Sequence, residues 1–207
     1  MESLNFTLTK MGIRDYGYKH SYAQMMFNSA WADYVAARCL SYNFLIISGF
    51  PLFAQAIEKL LKTIIFLETG RKTILNGIDR HNPYLLKKEL VEIADYDLDK
   101  YDDVLKKLYG HFQQRYHDNK DQSNSMGTDE LDKFDELWMY LSEQAPFPME
   151  VRYRLQFAAQ LFDKKVLAQF PHYRIWATHQ NKAIVSKLDE MERIYIAVEN
   201  HYLSSKD

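Results

Sequence analysis

The sequence predicts an all-α protein, an up-and-down helical bundle, and three observations carry that reading. Apolar residues return every three or four positions through most of the chain, the period of a single helix face. Start and stop residues punctuate those runs at Gly70, at Asn82-Pro83 and at Pro146-Phe147-Pro148. Sustained alternation of the kind a sheet needs is missing. Only Leu4, Phe6 and Leu8 alternate, with no neighbouring strand to pair with.

Residues 1–20 therefore read as an irregular arm laid on the bundle. A first helix is expected over 22–47, with Met26, Ala30, Ala37, Leu40, Phe44 and Ile47 inward and alanines permitting close packing. Gly49 and Pro51 separate it from a second, central helix that carries Phe53, Ala56, Ile57, Leu60, Leu61, Ile64 and Leu67 to Gly70, the position of a left-handed cap. Glu58 and Lys62 lie four apart on it, a surface pair worth about 0.2–0.5 kcal/mol. Asn82 caps a third helix that opens on Pro83 and turns Leu86, Leu90 and Ile93 inward.

The fourth helix is expected over 98–116, with Tyr101, Val104, Leu105, Leu108, Phe112 and Tyr116 on one face, and a polar loop follows over 117–127. Leu131, Phe134, Leu137, Trp138 and Leu141 mark a fifth helix, and residues 149–170 a sixth. Trp176, Ile184, Leu188, Met191, Tyr195 and Val198 hold the period over a seventh, read as one continuous helix over 171–202. Such a rod is about 45 Å long and overhangs a small bundle, which suggests a partner. Trp31, Trp138 and Trp176 all fall on apolar stripes and are assigned to the core.

Composition narrows the function classes. A chain of 207 residues, 47% hydrophobic, is long enough for one domain with a real core. Its 26 basic and 28 acidic residues leave a net charge of −2, so no global field draws it to nucleic acid or an anionic membrane, although a local basic patch is compatible with this balance. Cys39 is the only cysteine, which excludes an internal disulfide and a cysteine-type zinc site. With no signal-like start and no apolar run of about 18 residues, a cytoplasmic protein without a membrane segment is expected.

The central helix carries Gln55, Glu58, Lys59, Leu61 and Lys62 in the run QAIEKLLK, and the next begins His81-Asn82 followed by Leu85 and Leu86. Downstream come Arg115, Tyr116 and Asp118, with His117 between them where a proline is commoner. This pattern resembles the HEPN superfamily, small all-α domains named for a supposed nucleotide-binding role, over residues 21–145. The resemblance implies a bundle over 21–145 and, together with the long last helix, a homodimer; residues 146–207 lie beyond it and are read from their own periodicity as a helical extension packed on the same domain. It also implies a non-catalytic binding or accessory role toward a nucleotide, RNA or protein partner. The alternative is a metal-independent ribonuclease of toxin type, in which a His works on the 2′-hydroxyl proton or the leaving oxygen and an Arg stabilises phosphate charge.

Three sets of residues could carry such roles. Arg174 and His179 have the ribonuclease spacing, with Ile175 where those enzymes usually place Asn, Asp or His. Five positions on a helix set the two side chains about 140° apart, so they would converge only across a dimer, and the simpler reading is an Arg and a His on the surface of a long helix. Arg71, Lys72, Arg80 and His81 crowd the loop before the third helix, whose free amides could hold an anion, or the loop is simply solvated. His111 and Arg115 share a helix face as a second candidate phosphate site, unless the Arg-Tyr pair serves the fold. His111 and His117 are six apart, and His172 and His179 lack a supporting acid between them, so neither metal nor cofactor is expected.

Overall fold

The computed structural model describes residues 13–113, 128–147, 161–169 and 171–204. Among these residues the chain forms nine α-helices and no strand, an all-α bundle. In chain order they are α1 Ile13–Tyr42, α2 Ile46–Thr69, α3 Pro83–Ile93, α4 Asp102–Gln113 and α5 Thr128–Gln144. Four shorter or later helices follow: α6 Lys164–Gln169, α7 Pro171–Thr178, α8 Lys182–Val185 and α9 Leu188–Ser204.

Small residues let α1 and α2 close on each other as an antiparallel pair. A Cβ on Gly49 would lie 2.5 Å from Ser41 Oγ and 2.9 Å from the Ala37 carbonyl oxygen, so no larger residue fits without a shift. Along the same pair Lys59 reaches Asp33 at 2.6 Å and Ser29 at 2.8 Å. Leu60, Leu61, Ile64 and Ile65 of α2 are fully buried, which makes α2 the central helix. An aromatic cluster ties α5 to this pair: Tyr34 stacks on Trp138 at 4.5 Å and 13°, and Phe53 meets Phe134 at 5.3 Å. Trp31 and Trp138 are buried as their stripes imply, while Trp176 is only partly covered.

The local signals at Gly70 and Asn82 act as read. Gly70 adopts φ 74° and returns its N–H to the Phe66 carbonyl at 2.8 Å, and Asn82 Oδ1 accepts the amides of Tyr84 and Leu85.

Several boundaries differ from the sequence reading. Helix α1 begins at Ile13, inside the expected arm, and ends at Tyr42; residues 1–12 lie outside the described residues. Phe44, expected inward, is 90% exposed in a left-handed turn at φ 61°. Gly49 and Pro51 lie within the opening turns of α2 and do not separate two helices there; the proline forfeits one backbone bond. Residues 99–101 form a 3-10 turn before α4, and the polar loop lies outside the described residues. So do residues 149–160 of the expected sixth helix, whose described part is interrupted at Asp163.

The largest correction concerns the seventh helix. The chain over 171–202 is three helices, because Gln180 takes φ 51° and Asn181 starts a new helix by accepting the Ile184 amide at 3.0 Å. Ala177, Ile184 and Met191 are each buried, one from each segment, so the apolar spacing continues across both breaks. The 45 Å rod does not exist, and the overhang that suggested a partner goes with it. Among the described residues no helix is long and apolar enough to cross a membrane.

Candidate functional site

Past Gly70 the chain is held close to the bundle by its own short polar side chains. The Arg71 amide donates to Thr69 Oγ1 at 3.1 Å, and the Leu75 amide to Thr73 Oγ1 at 3.1 Å. Glu89 of α3, 6% exposed, accepts both the Thr73 hydroxyl and, at 2.9 Å, the Ile74 amide. A 3-10 turn over Asp79–His81 then leads into the Asn82 cap. The segment from Gly70 to Asn82 thereby arches over one end of the α1–α2 pair.

Beneath the arch lies a cavity of about 320 Å³. Helix α1 contributes Tyr22 and Met26, α2 contributes Lys62 and Phe66, and the arch contributes Lys72, Arg80 and His81 with Thr73, Leu75 and Asn76. Tyr22 and Phe66 meet with ring centroids 4.7 Å apart at 55°, and Lys72 Nζ stands 5.7 Å from the Tyr22 ring centroid. Glu58, nearly buried beside the cavity, accepts from Lys62 Nζ at 2.6 Å and from His81 Nδ1 at 3.0 Å. Arg80 Nε in turn donates to His81 Nε2 at 3.0 Å. Three cations and an imidazole thus share one wall with two aromatic rings, and the Glu58 carboxylate is engaged by Lys62 and His81. Such a wall can hold a compound that joins an anionic group to a flat ring.

Of the residues singled out in the sequence, Lys72, Arg80 and His81 are brought together here. Arg71 is exposed in the same segment but is not part of the cavity wall. The amides of Tyr84 and Leu85 at the start of α3 are taken by Asn82, so they are not free for an anion as expected. His111 is buried elsewhere, stacked on Phe50 at 5.0 Å, and Arg115 lies outside the described residues. Arg174 is exposed on α7. His179, exposed as well, stands just past the end of α7, its ring edge-on to Tyr42 at 4.9 Å. The angular separation expected for two positions of one helix therefore does not describe that pair.

Two features escaped the sequence reading. Tyr22 and Phe66 line the cavity, and a dry polar network joins α1, α5 and the C-terminal helices. In that network Arg38 pairs with Asp135, Tyr34 donates to Asp135 at 2.5 Å, and Asn181 Nδ2 donates to Tyr34 at 2.8 Å. Arg38 Nε also donates to the Trp176 carbonyl at 3.0 Å, and its Nη2 to that of His179. Burial lifts the Asp135 carboxyl above its usual range, against the opposing Arg38 charge and Tyr34 hydrogen bond. Its signal was present as Arg38 four residues after Tyr34 on an apolar stripe, and Asp135 between Phe134 and Trp138. The network is closed to solvent and satisfies the end of α7, a role in the fold.

Among the described residues no group of three or more His, Cys, Asp or Glu side chains is placed to hold a metal ion. No protein-family model, curated protein or solved structure matches the chain.

Proposed function

We propose that the chain is a HEPN-like, non-catalytic binding protein whose ligand is a nucleotide held in the cavity under the 70–82 arch. Tyr22 and Phe66 line the side where the base would lie, and Lys72 and Arg80 are the cations at hand for the phosphate. The observation that supports this reading is the gathering of two aromatic rings with Lys72 and Arg80 in one cavity of about 320 Å³, within the range of small-ligand sites. Stacking of a base on an aromatic side chain contributes about 1–3 kcal/mol, and each charge-assisted contact to phosphate adds specificity. Lys62 and His81, two positions of the pattern that resembles HEPN proteins, stand at the same cavity.

Calorimetric titration with adenosine 5′-monophosphate tests it. Wild-type protein is expected to bind with an affinity that falls as salt is raised, and Lys72→Ala and Tyr22→Leu are each expected to weaken binding by about fivefold or more. A folded wild type that takes up no nucleotide at millimolar concentration would sink the proposal.

A further inference from the structure

The hydrogen-bond roles around His81 are fixed by its neighbours. A carboxylate only accepts, so His81 Nδ1 donates to Glu58; an arginine Nε only donates, so His81 Nε2 accepts from Arg80. The imidazole in this arrangement links a nearly buried carboxylate to an exposed guanidinium. Because the guanidinium is planar, holding Nε fixes both the plane and the direction of the two Nη groups. Among the described residues Arg80 makes no ion pair, and its only hydrogen bond is the one to His81.

We infer that Glu58 and His81 are positioning residues that aim Arg80, so that its two Nη groups form a bidentate fork for the phosphate of the bound ligand. This deepens the nucleotide reading and rests on it for the identity of the ligand. It also separates the tasks of the cations. Glu58 occupies Lys62, Lys72 lies over an aromatic ring, and Arg80 is the cation whose geometry is set from behind. A lysine at position 80 would keep the charge and lose the fork.

The test compares binding of adenosine 5′-monophosphate, adenosine and pyrophosphate by wild type, Arg80→Lys, His81→Leu, His81→Gln and the Arg80→Lys/His81→Leu double variant. Thermal denaturation checks that all are folded. Wild type is expected to prefer the monophosphate to adenosine by about tenfold or more, and Arg80→Lys and His81→Leu each to erase most of that preference. The double variant should lose no more than either single one, because His81 acts through Arg80. His81→Gln should keep the preference, since its amide can accept from Arg80 and donate to Glu58, which a merely space-filling role would not require. Monophosphate binding that is indifferent to His81→Leu, or losses that add in the double variant, would overturn the fork and leave the nucleotide reading standing. Binding of pyrophosphate but not of the monophosphate, with the same variant pattern, would keep the fork and remove the nucleotide. Binding of neither would overturn both.

Discussion

Arg38 and Asp135 stand 97 residues apart in the chain and meet as an ion pair whose side chains are 0% and 1% exposed. The same guanidinium satisfies the Trp176 and His179 carbonyls, so one side chain closes α1 onto both α5 and the end of α7. Arg38→Ala leaves Asp135 buried without its partner and is expected to cost about 3–5 kcal/mol in urea denaturation. Arg38→Met/Asp135→Leu should recover part of that loss, since neither charge is left behind, while the two carbonyls still lack a donor. A double variant no more stable than Arg38→Ala would show that the carbonyl contacts, and not the stranded carboxylate, dominate.

Gly49 sits at a close approach of α1 and α2. Gly49→Ala places a methyl group 2.5 Å from Ser41 Oγ and 2.9 Å from the Ala37 carbonyl, and is expected to destabilise by about 1–3 kcal/mol. Adding Ser41→Ala removes the first clash but not the backbone one, so the pair should regain only part of the loss. Unchanged melting of Gly49→Ala would mean that the two helices separate easily at this point.

Glu89 holds the arch through Thr73 and Ile74. Glu89→Ala is expected to cost about 1–3 kcal/mol and to expose residues 71–76 to limited proteolysis. Glu89→Gln keeps an acceptor for the Ile74 amide and should be milder on both measures. Equal protection of the segment in wild type and Glu89→Ala would assign its order to other contacts.

Alkaline pH should weaken the fold through Tyr34. Burial first, and then the Asp135 charge, push its hydroxyl well above the ordinary 10.0. The folded chain keeps this proton where the unfolded chain releases it. The stability linked to Tyr34 is therefore fully present below about pH 10 and declines as the pH rises beyond it. Tyr42 and Tyr101, raised chiefly by burial, act in the same direction. Denaturation midpoints taken between pH 8 and pH 11 should stay level and then fall, and Tyr34→Phe should start lower and fall less steeply. An equal slope in the variant would exclude Tyr34 as the source.

What was legible in the sequence was local in cause. The caps at Gly70 and Asn82 depend on a few neighbouring residues, and both appear where their residue types imply. The basic segment containing Lys72, Arg80 and His81 was equally plain, because a cluster of cations needs no knowledge of the fold to be seen. The break after Thr178 was hidden for a specific reason. Ala177, Ile184 and Met191 recur every seven residues and all are buried, so the chain returns to the core in step whether or not the backbone between them is helical. Gln180 in a left-handed conformation carries no compositional mark. Tyr22 and Phe66 could not be recognised as a cavity wall, since an apolar stripe says which face is covered and not where the cover stops. The partnership of Arg38 with Asp135 depends on which helices become neighbours, information that no local window contains.

The two kinds of contact in this fold also differ in the order in which they can form. Helices α1 and α2 are joined by a three-residue turn and close over short sequence distances, so little loop entropy opposes their early meeting. The bonds from Arg38 to Trp176 and from Asn181 to Tyr34 span 138 and 147 residues, and the ties of the same region to α5 run over a long stretch of chain as well, Lys182 meeting Asp132 at 2.8 Å and Lys187 meeting Glu143 at 3.2 Å. The hairpin is thus placed to act as the nucleus on which the bundle condenses, and the C-terminal segment to dock as the closing step of folding.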